Sequence, residues 1–316
     1  MDAAAQGVDK GRSMSVVRLP AVGLLGLVLQ CVPLWYGNAQ SDSSRIGQHS
    51  PSDTVAQESW LARYDLGVKD PPTIKLPSKL SEVSGLAMTG DGRLFCHDDE
   101  SPIVYEIDYR SGETIKRFTV GSGFMEEDFE GIAVREDTLF MVNSSGELFE
   151  FAEKGDRKYA DFRLYRTFLS EKYDVEGLEY DPATDCLLLA CRKYSGKGNK
   201  GFKAIYAFDL KKRVLEQVPR FLIPLKEVER KAKKGEFNPS GLAFHPAAGT
   251  LFIISADGQL MIETDRNGKI LDQQKISGKA NRQPEGIAFT ADNTMILAND
   301  GQGGQGTLTL YRVEDK

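Results

Sequence analysis

Five short segments of this chain repeat one pattern: Glu or Ser, then Gly, then Leu or Ile, then Ala or Glu, then an apolar or aromatic residue. They read Ser84-Gly85-Leu86-Ala87-Met88, Glu130-Gly131-Ile132-Ala133-Val134, Glu176-Gly177-Leu178-Glu179-Tyr180, Ser240-Gly241-Leu242-Ala243-Phe244 and Glu285-Gly286-Ile287-Ala288-Phe289. The glycines are separated by 46, 46, 64 and 45 residues. A period near 46 marks a supersecondary unit stacked against copies of itself, not one wound domain.

Within the first unit, residues 85–88, 94–97, 104–108 and 114–120 are apolar or alternating runs, broken by Gly/Asp/Ser turns. Short strands between such turns are an all-β signal, and four per period match the blade of a β-propeller. The last unit lacks a fourth strand before the chain ends at Lys316, whereas residues 62–68 and 73–76 ahead of the first motif are spare strand-like sequence. An open ring would expose strand edges that invite aggregation. The expectation is therefore an all-β, five-bladed propeller closed by an N-terminal strand. The alternative is a sixth blade in the long third interval, whose excess includes residues 225–235, a basic stretch that reads as a charged surface helix.

Three zones follow. Residues 1–39 place Lys10, Arg12 and Arg18 before the apolar run 21–36 and the small-x-small site Gly37-Asn38-Ala39, a signal-peptide pattern, with a retained membrane anchor as the alternative. Met14 to Ala39 is already a complete leader by itself. Residues 40–58 read as a flexible spacer and 59–316 as the propeller domain. An exported, periplasmic or otherwise extracytoplasmic protein is expected, anchored to the plasma membrane if the leader is kept. With 46 acidic against 40 basic residues and a formal charge of −6, nucleic acid is not an expected partner. Beyond the leader, Cys96, Cys186 and Cys191 are an odd count in apolar runs and read as buried thiols of a monomer.

The innermost strand of each blade lines the central channel, and side chains two apart share a face. The residues before the glycines (Ser84, Glu130, Glu176, Ser240, Glu285) form one candidate ring, and Glu82, Asp128, Asp174, Asn238 and Gln283 a second. Converging carboxylates raise one another's pKa or recruit a cation. All-oxygen ligand sets suit Ca²⁺, so Glu130, Glu176 and Glu285 are the candidate metal ligands. The competing readings are blade-to-blade hydrogen bonds and anchoring of a polar ligand. The loops after each second strand bring Asp98, Asn143, Arg192, Asn299 and Asp300 to the same mouth. With Asp128 and Asp174 they are candidates for a small polar ligand or a protein partner. The basic loop 192–203 reads as solvated, the Gly-rich run 301–306 as a flexible hairpin, and His245 as a turn residue. No nucleophile elbow is present, and His97 is the histidine placed to act as a general base.

At segments 80–87, 128–134, 174–181, 238–245 and 284–289 the chain resembles the SdiA-regulated (YjiK-like) β-propeller family. The resemblance spans roughly residues 64–312. It implies an exported or membrane-tethered propeller with calcium at the axis, matched here by Glu130, Glu176 and Glu285. The chain is also similar, more distantly, to calcium-dependent lactonase and phosphotriesterase propellers, but departs from their axial Glu/Asn/Asp set. Two functional readings follow: a binding or scaffold propeller with Ca²⁺, or a Ca²⁺-dependent hydrolase of lactones or phosphoesters.

Overall fold

The computed structural model describes residues 59–123, 125 and 127–314; the leader and spacer expected over 1–58 lie outside them. Five small sheets form the five blades. Blade 1 runs Val83–Met88, Leu94–Asp98, Ile103–Ile107 and Thr114–Val120, each antiparallel to the last. The inner strands of the next four blades are Phe129–Arg135, Val175–Asp181, Gly241–Phe244 and Pro284–Phe289. Each inner strand contacts the next, and the fifth returns to the first.

The fifth blade is completed by Thr73–Lys75, which pairs antiparallel with Thr307–Tyr311 in the register Thr73 to Thr309 and Lys75 to Thr307. The other closing candidate, 62–68, is not a strand. It follows a 3-10 turn at Leu61–Arg63 and buries Leu61, Tyr64 and Leu66 between blades 4 and 5. Glu263, fully buried, fixes it by accepting from Leu61 N–H at 2.8 Å and Ser59 Oγ at 2.7 Å. His245 is a core residue rather than a surface turn residue. Its Nδ1 accepts from Ala248 N–H at 3.1 Å, its Nε2 meets Tyr64 Oη at 2.9 Å, and Phe252 stacks on the ring.

The long third interval holds no sixth blade. Its extra residues form two outer strands, Val214–Leu215 and Phe221–Pro224, both paired with Phe202–Asp209 in blade 3. The surface helix expected over 225–235 shrinks to one turn, Leu225–Val228, because Val228 is drawn into the core between blades 3 and 4. The solvated reading of 192–203 also fails at its end. Lys203 lies in the strand Phe202–Asp209 and is buried, its Nζ donating to Asn238 Oδ1 at 2.7 Å.

Instead of one central core there are five apolar clusters, one at each blade-to-blade interface. The motif glycines make this spacing possible. A Cβ on Gly131 would lie 2.8 Å from Leu178 N, and one on Gly241 would lie 2.6 Å from Glu285 O. Both neighbours are backbone of the next inner strand, so even a methyl group would force adjacent blades apart. Cys96, Cys186 and Cys191 are free and buried.

Candidate functional site

The simple alternation expected along the inner strands breaks at the motif. In blades 1, 2, 3 and 5 the pairing with the second strand shifts across the residues before the glycine: Val83/Leu86, Phe129/Gly131, Val175/Gly177 and Pro284/Gly286. Glu130, Glu176 and Glu285 are thus the unpaired residues of β-bulges, a device that re-aims a side chain out of the ladder. The two serine copies do different work. Ser84 Oγ donates to Glu130 Oε2 at 3.3 Å, and Ser240 Oγ donates to Pro284 O at 2.8 Å, so each staples its blade to the next.

The mouth is electrically lopsided. Over blades 3 and 4, charges are paired. Arg192 binds Glu176 through Nη1 and Asp257 through Nη2 at 3.2 Å, and its Nε lies 3.9 Å from Asp174. Lys193 adds a 3.1 Å contact to Asp174. Asn238 Nδ2 donates to Asp257 Oδ2 at 3.0 Å. Asp257 lies in an Asp-Gly turn like many others, and nothing local in the sequence separates it from them.

Over blades 1 and 2, carboxylates face carboxylates. Burial first, then the charges of Glu176, Asp128, Glu285 and Asp174, push Glu130 up to about 10. Asp99 is pushed to about 7 by burial and by Asp98, Glu82 and Asp128, and Asp98 to about 6, mainly by burial. Glu285 rises to about 8 through burial, partly offset by the hydrogen bond from Gln283 Nε2 at 2.6 Å. Glu176 is raised by burial but held to about 7 by Arg192.

Among the described residues, the carboxylates whose oxygens come within 4.8 Å of one another are Glu82, Asp98 and Asp99, not Glu130, Glu176 and Glu285. Asp99 Oδ1 is buried without a hydrogen-bond partner. An all-oxygen donor set with an unsatisfied carboxylate oxygen fits Ca²⁺. Glu82 and Asp98 were legible as members of the second ring and the mouth loop, but their convergence with Asp99 depends on how the second strand ends.

The remaining mouth candidates divide. Asn143 is consumed by its own turn, donating to Glu127 Oε2 at 2.6 Å and accepting from Glu147 N–H at 2.9 Å. Asn299 is buried, with Nδ2 donating to Thr309 Oγ1 at 3.1 Å and Oδ1 unpartnered. Asp128 is exposed at the mouth, and Asp300 accepts from Gln302 N–H at 2.7 Å. His97 is not at the mouth: it is fully buried, Nε2 lies 2.6 Å from where a Gly85 Cβ would stand, and burial lowers its pKa to about 4. Beside the acidic half lies a polar cavity of about 310 Å³, lined by Glu176, Arg192, Asp257, Arg282 and Glu285 with Lys233 and Lys234 at its rim.

The family model described as SdiA-regulated matches residues 219–315, from the outer edge of blade 3 through blade 5. No curated protein matches the chain. Among solved structures, glutaminyl cyclase from Myxococcus xanthus is 13% identical, with a TM-score of 0.50 over 77% of this chain and 94% of that one. A luciferin-regenerating enzyme is 12% identical, with a TM-score of 0.48 over 78% of this chain and 98% of that one. A PQQ-bound aldose sugar dehydrogenase from Streptomyces coelicolor is 13% identical, with a TM-score of 0.46 over 78% and 100%. At 13% identity the likeness to the glutaminyl cyclase is one of fold alone.

Proposed function

For this SdiA-regulated β-propeller, we propose a role as an exported binding protein that holds Ca²⁺ on the acidic half of its mouth and a small polar anion in the adjoining cavity. The observation that carries the reading is the convergence of Glu82, Asp98 and Asp99, one buried and two partly buried, where the charged neighbours of Asp99, like those of Glu130, are all carboxylates. Desolvated like charges are costly without a counterion. Glu82, Asp98 and Asp99 would hold the ion, with Asp128 adding negative field. When bound, Ca²⁺ supplies a fixed positive charge that draws an anionic ligand. Arg192, Arg282, Lys233 and Lys234 then hold that ligand from the opposite side of the cavity.

A hydrolytic reading would not draw its base from His97, which has no access to the mouth. It would fall to Asp99 or Glu176, the carboxyls brought near 7, where a proton can be both taken and returned at neutral pH.

The test is calorimetric titration of chelator-stripped protein with CaCl₂ and MgCl₂. Ca²⁺ should bind one site and raise the melting temperature, and Asp99→Asn should weaken binding at least tenfold. Mg²⁺, which demands stricter octahedral geometry, should bind less well. An unchanged melting curve at millimolar Ca²⁺ would sink the proposal.

A further inference from the structure

The channel does not pass through the molecule. Just below the axial glutamates, Leu86, Ile132, Leu178, Leu242 and Ile287 close it to a gap of about 10 Å³, room for about one water. Beneath this plug, on the face opposite the acidic mouth, lies a second cavity of about 340 Å³ to which all five blades contribute. Its volume is within the range of small-molecule sites. Met88, Val134, Phe244 and Phe289 give it an apolar wall, with Tyr180 beside them.

One residue breaks the apolar character. The position two after each motif glycine is Ala87, Ala133, Ala243 and Ala288 in four blades, and Glu179 in the third. Among the described residues, Glu179 is the one acidic or basic residue in the cavity lining. Its Oε1 accepts from Phe244 N–H across the blade boundary at 3.2 Å. With a second backbone hydrogen bond from Tyr180, two neutral donors still leave about half of a carboxylate's acceptor capacity unused. Burial and the nearby Asp181 raise it to about 8. The arginine over the neighbouring Phe244 ring is already committed. Arg266 pairs with Asp181 at 2.5 Å and stacks on the Phe244 ring at 4.6 Å. A stapling role alone does not explain a carboxyl here, since the same backbone strands elsewhere manage with alanine.

We propose that this underside cavity binds a small organic ammonium ion, its hydrocarbon body against Met88, Val134 and Phe289 and its N–H donors on Glu179. Charge complementarity and the aromatic wall favour a cation over a neutral or anionic ligand, because an ammonium group gains from both a carboxylate and ring faces. The apolar lining favours an organic cation over a hydrated metal ion, which would find one carboxylate and no further oxygen ligands of its kind.

The test uses phenethylammonium chloride and phenethyl alcohol, which differ in the charged group, titrated into the Ca²⁺-saturated protein by calorimetry. The ammonium ion should bind at least about tenfold more tightly than the alcohol, the usual scale of a charge-assisted hydrogen bond. Glu179→Gln, which keeps the acceptor for Phe244 N–H, should remove that advantage, while Glu113→Gln, on the exposed outer edge of blade 1, should leave it intact. Equal binding of the two probes, no binding of either, or an ammonium preference that survives Glu179→Gln or disappears with Glu113→Gln would overturn the proposal. The comparison of probes on unmodified protein decides the matter even if Glu179→Gln does not fold.

Discussion

Replacing Glu130 with Gln tests whether the axial charge is held against the fold. In the folded protein, burial and then the surrounding carboxylates raise this group from 4.5 to about 10. The folded state therefore keeps a proton that the unfolded chain releases above about 4.5. A state that binds more protons loses ground as pH rises, so this group's contribution to stability falls through the window from 4.5 to about 10. At pH 7 the chain has moved about 2.5 pH units above the unfolded value, a penalty of about 3 kcal/mol. Glu130 is partly open to the mouth, and solvent there trims the effect to about 2–3 kcal/mol. Gln keeps the shape and the acceptor for Ser84 Oγ but carries no charge. In chelator at pH 7 the variant should therefore melt roughly 4–10 °C higher than the parent, and the two curves should converge towards pH 4.5. Ca²⁺ should narrow the gap, because it relieves the parent more than the variant. Scanning calorimetry from pH 4.5 to 9, with and without Ca²⁺, measures all of this. A variant that melts at or below the parent throughout, or a gain that does not grow with pH, refutes the reasoning.

Gly131→Ala, whose Cβ would meet Leu178 N at 2.8 Å, should cost about 1–3 kcal/mol or more in urea unfolding, whereas Gly90→Ala, with nothing within 4 Å, should stay within about 0.5 kcal/mol of the parent. Arg192→Gln strips the cation from Glu176 and should destabilise the protein by about 1–3 kcal/mol, more at pH 8 than at pH 6, because Glu176 then keeps its proton to higher pH. The thiols of Cys96, Cys186 and Cys191 should resist a water-soluble disulfide reagent until the protein unfolds, since burial raises Cys96 strongly and Cys191 to about 12.

The architecture was legible because it is written in repeats. A period near 46 residues, alternating strands and a missing last strand lead to five blades and to a closing strand from 62–68 or 73–76, of which the structure uses Thr73–Lys75. The sequence stops short where local chemistry is degenerate. The bulges before Gly131, Gly177 and Gly286 leave no mark in composition, so a strict two-residue alternation misjudges how each glutamate is aimed. Asp99 lies next to a recognised mouth residue, yet only the end of Leu94–Asp98 decides that it meets Glu82. His97 looks like a candidate base because histidine is rare in this chain, but it lies within a strand buried on both faces. Lys203 resembles its solvated basic neighbours until the strand register carries it beneath Arg192.

The closing strand also sets an order of events. Thr73 leaves the ribosome long before its partner Thr309, so the first strand of the domain must wait for the last. Blades 1 to 4 can each form from neighbouring sequence, but the fifth cannot. Joining the two ends is among the contacts of greatest sequence separation, and such contacts are slow to form. Until it forms, Thr307–Tyr311 presents a bare edge open to a second unfolded chain. The vulnerable moment in this protein's life is therefore the interval between synthesis of its last strand and the return of its first.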